Sequence, residues 1–226
     1  MIPTHIGFIV DGNRRWAKKH GLPTYEGHFA GRNALEDVLI ETLKRGVKYA
    51  SAYVFSTENW KRSEEEVGKL MSLLLSIIRD DLPKFLENNV RLRVIGTREG
   101  LSKQVIKAIN TSEEKTADCD GGDLLLCMNY GGQLEVAEAV KKIVQSGVGA
   151  DEVTPELISE NLYAPDVPPC DLVVRTSGEQ RLSNFMLWRI AYSELMFLDK
   201  HWPDMTVEDV SVILEEYAKR KRRFGG

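Results

Sequence analysis

HIGFIVDGNRRWAKKHG, residues 5–21, changes chemistry halfway along its length. An apolar-leaning run, 6–10, ends in Asp11. Gly12 and Asn13 follow, and then four cations, Arg14, Arg15, Lys18 and Lys19. The run reads as a buried strand and Gly-Asn as a tight turn. The cationic stretch reads as the start of a helix that Asn13 is placed to cap.

The same alternation continues along the chain. Strands are expected at 6–10, 50–55, 92–95, 124–128 and 172–174, with a short one near 195–198. Helical periodicity covers 31–45, 102–116, 133–145, 155–161 and 207–222, and a long stretch from 64 that Pro83 should kink or break. Short continuous apolar strands alternating with helices predict an α/β fold, a mostly parallel sheet flanked by helices on both faces. No Pro/Gly/Ser-rich linker, internal repeat or low-complexity segment divides the chain, so one domain is expected over 1–226.

The 226 residues carry a net charge of −4 and 42% hydrophobic residues. That balance argues against nucleic acid as a partner. Cys119, Cys127 and Cys170 are too scattered for a zinc site or a disulfide framework, which suits a reducing compartment. With no leader apparent, and with the greasiest run (70–78) too short to span a bilayer, a cytoplasmic protein is expected.

Open parallel sheets bind ligands beyond the carboxyl ends of their strands. Those ends read DGNRR, STENWKR, NYGG and RTSGEQRLSNF. A helix start and Arg15 suit phosphate oxygens. Asp11 makes sense beside a phosphate if Mg²⁺ bridges the two. The plainer reading, in which Asp11 caps the turn and the arginines are solvated, is about as good for DGN alone. Arg175, Arg181 and Ser183 at another strand end suggest a second anion, and two anions with one metal point to diphosphate chemistry. No P-loop or GxGxxG is present, and Lys84 spoils the acid-rich start of DDLPK.

Several blocks, in one order over nearly the whole chain, resemble the cis-prenyltransferases of the undecaprenyl diphosphate synthase type: HIGFIVDGNRRWAKKHG, EGHFAGR, AYVFSTENWKR, NVRLRVIG, NYGG, VVRTSGEQRLSNFMLWRIAYSELMF, WPD and RRFGG. The resemblance implies a homodimer, a six-stranded sheet, and an apolar tunnel between sheet and helices. It implies Mg²⁺-dependent condensation of isopentenyl diphosphate with an allylic prenyl diphosphate, giving a cis-polyprenyl product that serves as a lipid-carrier precursor. By the same resemblance Asp11 and Asn59 are catalytic, and Asp11 and Glu194 bind the metal. Gly12, Asn13, Arg14, Arg15, Trp16 and His28 cradle the starter diphosphate. Ser56, Glu58, Trp60 and Arg62 border the reacting carbons. Arg175, Arg181 and Ser183 hold isopentenyl diphosphate, and Arg223 and Gly225 reach the partner subunit's substrate.

Thr24 departs from the pattern: a cation is usual there, so that cation is either missing or supplied by Arg32 or another group. Arg14 stands where glycine is frequent, Ser63 where proline is, and Gln180 where histidine often is. Trp16, with Trp188 and Trp202, also reads as a core or interface anchor, and His5, His20 and His201 as structural or exposed. The greasy helix from 64 reads either as a core helix or as tunnel wall. A strand-end acid contributes little packing, so loss of Asp11 is expected to leave the fold intact. A non-catalytic partner subunit of the same fold is the alternative, and a small-molecule kinase or phosphatase a weaker one. Contact with a membrane surface for product release fits a long prenyl chain.

Overall fold

A computed structural model describes residues 1–220. Among them six strands form one sheet in the order β3-β4-β2-β1-β5-β6. They are β1 (His5–Ile9), β2 (Tyr49–Ser56), β3 (Arg91–Ile95), β4 (Asp123–Tyr130), β5 (Leu172–Arg175) and β6 (Glu194–Phe197). Every pairing is parallel. The helices are α1 (Asn13–Lys19), α2 (Thr24–Lys44), α3 (Glu64–Asp80), α4 (Leu82–Glu87), α5 (Lys103–Lys115), α6 (Gly132–Gln145), α7 (Pro155–Asn161) and α8 (Val207–Lys219).

The central strands are buried on both faces, so they read as continuous apolar text rather than alternating text. Successive side chains still part to opposite faces. Phe8 joins a core with Leu39, Leu74, Ile109 and Trp202 under α2, α3, α5 and α8. Ile9 joins a second core with Tyr53, Leu125, Cys127 and Phe185 on the other face.

Local chemistry sets the helix ends. Ser63 caps α3 by accepting the Glu66 N–H at 3.3 Å, and three glutamates fill its first turn. The long helix breaks at Asp81, and Pro83 falls in the first turn of α4, where its missing N–H costs nothing. Helix α2 begins at Thr24, earlier than periodicity indicates, because its first turns lean on α1. Gly27 permits that approach: a Cβ there would lie 2.0 Å from the Asn13 carbonyl oxygen. No helix among the described residues is long and apolar enough to cross a membrane.

Helix α3 buries Val67, Leu70, Leu74, Ile77 and Ile78 and leaves Met71, Leu73 and Leu75 partly exposed. Between it and α2 lies a cavity of about 40 Å³ lined by Leu35, Val54, Leu70, Leu73, Leu74 and Ile77. Its leucines belong to α2 and α3, where the expected apolar tunnel would run.

Candidate active site

Asp11 stands just past β1, and its main chain is clamped. Its N–H donates to Thr176 Oγ1 at 3.0 Å, and the Thr176 hydroxyl donates back to its carbonyl at 2.7 Å. The Ser177 hydroxyl, at 3.1 Å, and the Trp202 N–H, at 3.0 Å, reach the same carbonyl. Gly12 then turns the chain at φ 106°, and a Cβ there would sit 1.9 Å from Ser177 Oγ. Only glycine fits this corner.

Asn13 does not cap α1 as expected. Gly12 is the cap residue, and no side chain caps the helix. The Asn13 amide turns toward α2, with Nδ2 3.3 Å from His28 Nδ1. Asn13 Oδ1 and His28 Nε2 are both buried with no hydrogen-bond partner among the described residues. Burial, with Arg62 and Arg14 nearby, lowers the His28 pKa to about 4, so the ring is neutral.

The Asp11 carboxylate faces two guanidinium groups. Oδ2 accepts from Arg175 at 2.9 Å, and Oδ1 lies 3.2 Å from Arg15. Burial alone would raise its pKa. The Arg175 hydrogen bond and the charges of Arg15 and Arg175 outweigh that and hold it below the usual carboxylate value. Arg175 is buried; it also donates to Ser183 Oγ at 2.8 Å and to the Arg181 carbonyl. Arg15 reaches the Ser177 carbonyl at 3.2 Å and Glu179 at 2.9 Å, and Arg181 pairs with Glu179 too.

Asp11, Arg15, Glu179 and Arg181 border a cleft of about 800 Å³, to which Gly12, Asn13, Arg14, Lys18, Thr24, His28 and Arg62 also contribute. A second cleft of about 910 Å³ meets it at Arg14, Thr24 and His28 and runs between α2 and α3 past Tyr25, Phe29, Leu70 and Leu73. Phosphate-type chemistry and apolar wall are therefore neighbours.

Other predicted residues sit differently. The turn after β2 holds itself together, with Asn59 Oδ1 accepting the Ser56 N–H at 2.9 Å. Glu58 accepts from Asn184 at 2.9 Å, and Trp60 donates to Asn129 at 2.7 Å while packing edge-on to Phe55. This turn lies at the carboxyl end of the sheet, beside the Asp11 corner, but does not line either cleft. Arg62 lines the first cleft and pairs with Glu66 at 2.8 Å. Trp16 is an anchor outside both clefts: its Nε1 donates to Asp204 at 2.6 Å and its ring stacks on His20. Arg32 is committed to the buried Asp81 by a two-pronged pair, so the expected replacement cation near Thr24 is not Arg32. Arg14, exposed and 4.0 Å from Glu66, stands there instead.

Glu194 is not brought to Asp11 within one chain. It opens β6 in register with Leu172, which pairs with Ile6 near the start of β1. Asp11 lies roughly 15 Å further along the strand direction at ~3.3 Å per residue. Glu194 instead pairs with Arg220 at 3.0 Å. Arg223 and Gly225 lie outside the described residues.

Among the described residues no three His, Cys, Asp or Glu side chains converge as a metal cage. Asp11, ionised and partly open, fits Mg²⁺ in the way that ion is usually held, by one or two carboxylates together with substrate phosphate oxygens. Residue-by-residue reading passed over Thr176, Ser177 and Glu179, although all three stand in the RTSGEQR run it had singled out.

The chain is similar to known proteins along nearly its whole length. A family model described as "Putative undecaprenyl diphosphate synthase" matches residues 9–225. An isoprenyl transferase of Thermotoga maritima is 47% identical over the whole chain and 97% of its own length. A decaprenyl diphosphate synthase of Mycobacterium leprae is 44% identical over the whole chain and 77% of its own. The crystal structure of lavandulyl diphosphate synthase from Lavandula x intermedia, in complex with dimethylallyl diphosphate, superposes with a TM-score of 0.96 at 30% identity, covering 100% of this chain and 99% of that one.

Proposed function

The chain belongs to the undecaprenyl diphosphate synthase family of prenyltransferases, and on that premise we propose that it lengthens an allylic diphosphate starter with isopentenyl diphosphate units. The product is a cis-polyprenyl diphosphate of the undecaprenyl type, and Mg²⁺ is the cofactor. One observation carries this reading: an ionised strand-end carboxylate, Asp11, shares a cleft with guanidinium groups from two separate segments, next to an apolar-walled groove.

Arg14, Arg15, Lys18 and Arg62 concentrate positive charge where the starter's diphosphate departs, and fixed cations there stabilise charge as it develops. His28 meets the same diphosphate as a neutral ring. Arg181 binds the diphosphate of isopentenyl diphosphate. Arg175, spent on Asp11, Ser183 and the Arg181 carbonyl, aims those groups rather than gripping substrate. Asp11 would hold the magnesium ion, which adds several kcal/mol of stabilisation against the leaving diphosphate when bound. Tyr25, Phe29, Leu70 and Leu73 shield the starter's hydrocarbon from water, and α2 and α3 part to lengthen the apolar cavity between them.

The enzyme works as a homodimer in the cytoplasm. Glu194 can join a metal at Asp11 only from a second copy, and edge strand β6 carries Glu194 beside exposed Tyr192 and Leu195. A long product then leaves by contact with a membrane surface.

The test is incorporation of radiolabelled isopentenyl diphosphate by the purified chain with Mg²⁺ and, in turn, dimethylallyl, geranyl, farnesyl and geranylgeranyl diphosphates. Starter-dependent label extractable into butanol, resolved by chain length, is expected. No extraction with any starter would support the non-catalytic partner subunit.

A further inference from the structure

We propose that Glu179 is an internal stand-in for substrate phosphate: its carboxylate occupies the anion position between Arg15 and Arg181 and is displaced when a diphosphate binds. This rests on the reading of the cleft as a diphosphate site.

The two oxygens of Glu179 go to different guanidinium groups. Oε1 accepts from Arg15 Nη1 at 2.9 Å, and Oε2 accepts from Arg181 Nη1. Arg15 belongs to α1 and Arg181 to the loop after β5, so one carboxylate ties together cations from two segments. The backbone presents it there on purpose-built geometry. Ser177 and Gly178 both take left-handed conformations, at φ 74° and 72°. Their N–H groups are pinned to the Lys200 and Leu198 carbonyls at 2.9 and 2.8 Å.

A simple brace would make the same two contacts, but Arg15 does not depend on Glu179 for its place. Arg15 keeps Asp11 and the Ser177 carbonyl, both at 3.2 Å. The main chain at Arg181 is held by Arg175, while its guanidinium reaches Glu179. Removing the carboxylate therefore frees one positioned donor group on Arg15 and one exposed guanidinium on Arg181. The pairs are also exchangeable. The side chains of Glu179, Arg15 and Arg181 are 32%, 44% and 59% exposed, and ion pairs this open are weak. A diphosphate, with more charge and more acceptor oxygens, outcompetes one carboxylate. Because Glu179 spans both cations, its departure at one anion site unmasks the other, so the two substrates assist each other's entry.

The experiment is calorimetric titration of inorganic pyrophosphate, without Mg²⁺, into the full chain and into Glu179→Gln, which keeps the shape and removes the charge. The variant is expected to bind roughly fivefold tighter or more, the loss of two exposed ion pairs, and its Michaelis constants for both diphosphate substrates should fall together. Equal or weaker pyrophosphate binding by the variant, with wild type binding normally, would overturn the stand-in role and leave a brace. Failure of both proteins to bind pyrophosphate would overturn the diphosphate site itself and the proposal with it.

Discussion

Arg175 meets Asp11 from beneath the cleft, 2.9 Å from Oδ2, with the guanidinium side chain 4% exposed and the carboxylate 27%. Asp11 is the one carboxylate paired with Arg175 among the described residues, and a buried cation that loses such a partner is left uncompensated. Loss of Asp11 is therefore expected to cost stability as well as turnover. Asp11→Ala should lose roughly 2 kcal/mol, less than a fully buried pair because Asp11 is partly open. Asp11→Asn, which keeps an acceptor oxygen, should lose less. Urea unfolding of both variants checks this, and an alanine variant as stable as wild type would contradict it.

Arg32 and Arg14 should behave in opposite ways. Arg32 neutralises the buried Asp81 at the α3–α4 break, so Arg32→Ala should lower the melting temperature by several degrees with the starter's Michaelis constant nearly unchanged. Arg14 is exposed beside Thr24, so Arg14→Gly should raise that constant several-fold and leave melting within a degree or two. Exchanged phenotypes would return the missing cation to Arg32.

Arg181 offers an exposed guanidinium across Glu179 from Arg15 of α1. Arg181→Ala should chiefly raise the Michaelis constant for isopentenyl diphosphate, by tenfold or more for a lost charge-assisted contact. A change confined to the starter's constant would reverse the assignment of the two anion sites.

His5 is buried at the start of β1, with Nδ1 3.0 Å from the Pro168 carbonyl and Nε2 2.6 Å from Ser51 Oγ. Burial lowers its pKa from 6.5 to about 4, against a raising hydrogen bond to Pro168. The unfolded chain thus binds a proton between pH 6.5 and 4 that the folded chain refuses. The stability is fully present above pH 6.5 and falls as pH drops toward 4, by about 3 kcal/mol for this group. His28 adds in the same direction. Chemical unfolding at pH 7.5 and 4.5 should show a smaller loss in His5→Gln than in wild type; an identical loss would exclude His5 as a source.

Much of the fold was legible because each strand is a short apolar run with a turn signal after it. All six strands fall within two residues of their expected ends at either side, and α7 occupies the expected span. The start of α2 was not legible, since Thr24 to Ala30 lack periodicity and are helical through contact with α1. At the site, sequence separates what the register joins and joins what it separates. Asp11 and Arg175 meet because Ile9 pairs with Arg175, whereas Glu194 is held away by its pairing with Leu172. Side-chain commitments were equally hidden: nothing in the letters distinguishes Arg32, spent on Asp81, from Arg14, which is exposed.

Single-turnover condensation by Asp11→Asn is the most direct test of Asp11 as the group that drives departure of the starter's diphosphate. With enzyme in excess over the allylic diphosphate, and with isopentenyl diphosphate and Mg²⁺ saturating, the first bond-forming step should slow by about 10³-fold, the several kcal/mol expected of a bound metal, while urea unfolding shows an intact fold. A rate within tenfold of wild type in the folded variant would contradict the account.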